Sequence, residues 1–192
     1  MQQDDPNITL ITDTAPLATV THGGRAKCLQ RLVRLDLPVP RTVALSFHEV
    51  HRIAAGEMPD MQALLEPFNP EGLLCVRPSS EDPDWGGPGA LLNIGMNSER
   101  YGALCDRIGQ SAASALFVRF IQSYSVHVAR LDPDAFDAIA PDDPDAVENA
   151  LAAYEDEAEG PFPQDVAVQL AGVLRSMARA WEGTSARLLR QA

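Results

Sequence analysis

Residues 72–97 read GLLCVRPSSEDPDWGGPGALLNIGMN. The apolar run Leu73-Leu74-Cys75-Val76 predicts a buried strand that ends in a single cation, Arg77. Turn formers follow from Pro78-Ser79-Ser80 to Asp84, and Gly86-Gly87-Pro88-Gly89 then precedes a second apolar run. Strand, arginine, hydroxyl pair, glycine loop and strand is the layout of a phosphate cradle. Glycine lets backbone N–H groups approach an anion, and a guanidinium at a strand end supplies charge and a bidentate fork. The same residues also describe a plain β-hairpin with a long Gly/Pro connection and a surface arginine. This stretch alone does not separate the two readings.

Towards the N-terminus, residues 8–11 predict a short strand and Thr21-His22-Gly23-Gly24 a turn. Leu29, Leu32 and Val33 then fall at helical spacing. Leu37-Pro38-Val39-Pro40 stops that helix, because a proline disfavours helical backbone in the residue before it. Residues 42–45 predict a strand, and Ser46 with Glu49 three positions on fits a capping box opening a helix to about Ala55. A short helix from about Pro59 to Leu65 leads back to the quoted stretch.

Towards the C-terminus, helices are expected over 98–108, 111–131, 145–157 and 165–181. The last carries one apolar stripe of Val166, Val168, Leu170, Val173, Leu174 and Met177. Pro144 and Pro163 stand where a first helical turn tolerates proline. The predicted class is α+β: a mixed region over 1–110, then a helical subdomain over 111–192.

The chain has 192 residues, enough to bury a core, and its apolar fraction of 45% is that of a globular protein. A net charge of −12 argues against nucleic acid and anionic membrane surfaces as partners. The single lysine, Lys27, stands against 14 arginines, so any chemistry needing an ammonium group falls to it or to the N-terminus. Cys28, Cys75 and Cys105 are odd in number and set among apolar residues, which predicts reduced core thiols. His22, His48, His51 and His127 form no zinc spacing, and His48 and His51 read as a surface pair on one helix. No metal site and no catalytic residue is predicted. With neither a signal peptide nor a membrane-spanning apolar run, the expected location is the cytoplasm.

Six collinear segments resemble the N-terminal region of the pyruvate phosphate dikinase and phosphoenolpyruvate synthase family. Gly23-Gly24-Arg25-Ala26-Lys27-Cys28-Leu29 and Leu35-Asp36-Leu37-Pro38-Val39-Pro40 are similar to that family's GGKGANL…LGLPVPPG. Cys75-Val76-Arg77-Pro78-Ser79-Ser80 resembles VSVRSSA, and Leu92-Asn93-Ile94-Gly95-Met96-Asn97 resembles LNLGLN. Arg119-Phe120-Ile121-Gln122-Ser123-Tyr124 is similar to RRFIQMY, Gly160-Pro161-Phe162-Pro163-Gln164-Asp165 to GKPFPQD, and Trp181 with Arg187 to W…PRA…YR.

The resemblance implies the first lobe of an ATP-grasp-like domain, a small mixed sheet with flanking helices, over 1–110, followed by the family's helical part. It implies ATP with Mg²⁺ as ligand and places nucleotide and phosphate contacts on Arg25, Arg77, Ser79, Ser80, Gly86, Gly87 and Gly89. It also implies that the second lobe, the phosphocarrier-histidine domain and the pyruvate-binding barrel lie outside these residues.

The chain departs from the family pattern in places. Arg25 stands at the phosphate lysine, a change that keeps charge but alters geometry. Gly89 and Ala90 stand at the aspartate and threonine of the family's SMPGMMDT loop. The chain is therefore expected to bind nucleotide weakly and to have no phosphotransferase activity of its own. Two alternatives stay open: half of a split ATP-dependent phosphotransferase completed by a second chain, and a protein-interaction module. In the latter, Arg25, Arg77 and the loop from Trp85 to Ala90 would dock a partner lobe or a second copy, giving a homo-oligomer.

Overall fold

The computed structural model describes residues 6–81 and 89–183. Contacts gather the chain into two units, Met1–Pro70 with Arg77–Gly89 and Met177–Ala192, and Glu71–Val76 with Ala90–Ser176. The sequence draws a single boundary near residue 110; here each unit is assembled from separate stretches. The strands either side of the quoted loop group with the helices, and the loop from Arg77 groups with the N-terminal residues.

In the first unit, β1 (Ile8–Leu10) pairs antiparallel with β2 (Val43–Leu45), with Ile8 opposite Leu45 and Leu10 opposite Val43. Helix α1 (Thr19–Arg34) supplies Ala26 to a core of Ile11, Ala15, Leu17 and Ala44, with Leu29 and Val33 packed against it. Gln30 is fully buried: its Nε2 donates to the carbonyls of Thr12 (3.1 Å) and Ala15 (2.7 Å), and its Oε1 accepts from Lys27 Nζ (2.8 Å). Lys27 also donates to the Leu17 carbonyl at 2.9 Å. The single ammonium side chain is thus engaged in holding the segment before α1.

α1 is broken at Gly23, whose φ of 82° and ψ of 166° no helix contains. The expected turn at 21–24 is therefore real as a break, but residues 19–22 before it are one turn of helix. Helix α2 (Phe47–Ala55) opens on Ser46, whose Oγ accepts from the Glu49 N–H at 3.1 Å. Only half of the capping box forms. The Ser46 N–H donates to the Asn7 carbonyl at 2.8 Å, and the buried Glu49 carboxylate accepts from Arg52 at 3.0 Å. Helix α3 (Met61–Leu65) is capped by Asp60, and the Phe47 ring stacks on Trp181 at 5.1 Å. His48 and His51 are both exposed, as expected of a surface pair.

In the second unit, β3 (Leu74–Val76) pairs antiparallel with β4 (Leu91–Ile94). The register shifts between Leu74 opposite Ile94 and Val76 opposite Leu91, so β4 carries one extra residue, and Asn93 there has φ of 61°. Four helices and a short one follow, the last of them belonging to this unit only as far as Ser176: α4 (Ser98–Ile108), α5 (Gln110–Tyr124), α6 (Asp134–Asp137), α7 (Ala146–Ala158) and α8 (Val166–Glu182). Between α5 and α6 lies a π-helical turn, Ser125–Ala129. Here, where an unbroken helix over 111–131 is expected, the buried Ser125 hydroxyl donates to the Ile121 carbonyl at 2.7 Å and shares that acceptor with the Ser125 N–H.

Phe162 is the hub of this unit's core. Its ring lies 5.0 Å from Tyr154, 5.4 Å from Tyr124, 5.7 Å from Phe120 and 6.2 Å from Phe117, all with edge-to-face tilt. Beside it, buried Gln169 accepts from the Gly95 N–H (2.8 Å) and donates to the carbonyls of Met96 (2.9 Å) and Pro163 (2.7 Å). Asn97 Nδ2 donates to the Gln164 carbonyl, and Gln164 Oε1 accepts from the Ser98 N–H, each at 2.9 Å. The LNIGMN and GPFPQD segments are therefore stitched to each other.

Several expectations are corrected. The class is α+β, but the described strands form two separate two-stranded antiparallel sheets and no mixed sheet. β3 is not a buried strand: Leu74 and Val76 are half-buried and Cys75 is exposed, because a two-stranded ribbon turns alternate residues to solvent. Cys28 is also exposed and Cys105 half-buried, so none of the thiols is a core residue. Cys28 lies two positions from both buried Ala26 and buried Gln30, about 200° round the helix. Val168, two positions before buried Leu170, is 55% exposed for the same reason. Among the described residues no helix is long and apolar enough to cross a membrane.

Candidate functional site

The two segments that the family resemblance treats as one site lie more than 50 residues apart in the chain, and in the first unit they meet. Gly23, at positive φ, packs directly on Ser79, and the Gly24 N–H donates to the Ser80 carbonyl at 2.6 Å. A Cβ at position 23 would overlap Ser79 Oγ and lie 2.8 Å from both the Ser79 carbonyl carbon and the Ser80 oxygen. Only glycine permits this approach. The helical residues that resume after Gly23 start their N-terminal turn at this junction, where the helix dipole favours negative charge and the Gly24 N–H is taken by Ser80.

Arg25 follows Gly24 by one residue and Arg77 precedes Ser80 by three, so the junction brings the stretches carrying both guanidiniums together. Both arginines are exposed, and neither is in an ion pair among the described residues. The Ser79 hydroxyl is buried without a hydrogen-bond partner, while buried Ser80 is engaged. Gly89 is exposed with nothing within 4 Å of where a Cβ would stand, so its surroundings do not demand glycine. Gly86 and Gly87 lie outside the described residues, as do Trp85, Asp82 and Asp84.

One residue at the junction escaped the sequence reading. His22 is 4% exposed; its Nδ1 is 2.8 Å from Thr21 Oγ1, and its Nε2 is buried with no hydrogen-bond partner. Burial pushes its pKa below the ordinary histidine value, and the Pro6 carbonyl acts more weakly in the opposite sense. No periodicity marks it, because a histidine beside Gly-Gly reads equally well as a turn residue. The consequence for stability has a definite sign. The unfolded chain binds a proton on His22 at higher pH than the folded chain does, so stability is complete above about pH 6.5 and declines as pH falls through the lower folded pKa. The melting temperature of the wild type is expected to fall more steeply from pH 7 to pH 5 than that of His22→Asn, which retains a partner for Thr21. Parallel curves would show that His22 is not buried as a neutral ring.

Elsewhere, a cavity of about 310 Å³ in the second unit is lined by residues including Gln110, Ser114, Asp142 and Asp143. Two carboxylates and no lining cation make it unsuited to a phosphate. Among the described residues no group of three or more His, Cys, Asp or Glu could hold a metal ion. No protein-family model matches the chain, and no curated protein matches it. The resemblance to the dikinases therefore rests on the sequence motifs alone.

Proposed function

We propose that this chain is a dikinase-like nucleotide-binding lobe that takes the phosphates of ATP or AMP at the Gly23–Ser80 junction and carries out no phosphotransfer by itself. The observation that carries the reading is the Gly24–Ser80 hydrogen bond. It joins the glycine pair, followed by Arg25 at the start of the resumed helix, to the loop that carries Arg77 and the unpartnered Ser79 hydroxyl. Arg25 and Arg77 would hold phosphate oxygens, and Ser79 would donate to one after a rotation of its hydroxyl.

The donor set fits phosphate. It does not fit Mg²⁺, since no carboxylate cluster is at hand among the described residues. Phosphoryl transfer needs cations positioned on the transferring group, and the substitution of arginine at position 25 replaces a compact ammonium by a planar fork.

The site is open to solvent on both arginines, so its ion pairs are screened and its affinity is expected to be in the millimolar range. Millimolar ATP should raise the melting temperature of the wild type, and Arg77→Ala should remove the rise. The wild type incubated with ATP, phosphate, pyruvate and Mg²⁺ should form no phosphoenolpyruvate. An equal rise in Arg77→Ala would displace the site from this junction, and phosphoenolpyruvate formed at enzymatic rates would overturn the absence of chemistry.

A further inference from the structure

We draw no further inference here: the strongest candidate, the cavity in the second unit between Gln110, Ser111 and Ser114 at the start of α5 and Asp142 and Asp143 in the loop before α7, joins a helix N-terminus to two exposed carboxylates, and its one buried polar lining group, the Ser114 hydroxyl, is already bonded to Tyr101, so nothing in the structure shows what fills it.

Discussion

Phe162→Ala is expected to destabilise the second unit by about 3–5 kcal/mol, the range for a large aromatic truncated in a core. The ring is 4% exposed and meets four other aromatic rings at centroid distances from 5.0 to 6.2 Å. The loss therefore combines transfer free energy, the cavity, and edge-to-face pairs worth about 0.5–1.5 kcal/mol each beyond buried area. Domains of this size are stable by about 5–15 kcal/mol, so the variant approaches the point of unfolding. Phe162→Leu keeps most of the volume and should cost less than half as much. Urea midpoints at unchanged slope measure both. A loss under about 1 kcal/mol in Phe162→Ala would show that the ring is peripheral and that the GPFPQD segment does not organise this core.

That segment illustrates how much of the fold can be read from residues alone. Elements with local punctuation are legible: α4 runs over the expected residues because Asn97 caps it, accepting from the Arg100 N–H at 2.9 Å, and Gly109 at φ 86° ends it. Ser46 marks the start of α2 in the same way. Burial is less legible. The run Leu73-Leu74-Cys75-Val76 is apolar throughout, but composition does not say that its ribbon has only one covered face, nor that Cys28 lies opposite Ala26 and Gln30. The π turn over Ser125–Ala129 interrupts a helical pattern without leaving any trace in hydrophobic spacing.

The candidate site divides along the same line. Arg77, Ser79 and Ser80 were legible as a local cradle layout and Arg25 entered through the family motif, but no property of either segment on its own pairs them across the chain. His22 entered through neither route, because what distinguishes it is a burial that only the folded chain creates. Lys27 is the converse case. Its place in the GGRAK motif invites a role in phosphate binding, but its ammonium is held by Leu17 and Gln30.

Gly23→Ala is expected to cost about 2–6 kcal/mol and to abolish the ATP-dependent rise in melting temperature. Two terms contribute. With φ of 82° and ψ of 166° the backbone lies in a region essentially reserved for glycine, where a side chain costs about 1–3 kcal/mol. The new Cβ would also overlap Ser79 Oγ, which a rotation of the hydroxyl relieves, and the Ser79 and Ser80 backbone at 2.8 Å, which no rotation relieves. Forcing such a contact costs a further 1–3 kcal/mol or so, or drives the loop away. Movement of the loop breaks the Gly24–Ser80 bond and separates Arg77 from the start of the resumed helix. Gly56→Ala is a control for positive φ without a close contact: Gly56 is a left-handed helix cap with φ of 104° and no atom within 4 Å of a Cβ, so it should lose some stability from backbone strain and keep its response to ATP. If the two variants melt together and both respond to ATP, the close approach of Gly23 to Ser79 has no part in binding. If Gly23→Ala alone loses the response while still folding, ligand binding depends on the joined geometry of the two segments as well as on their charge.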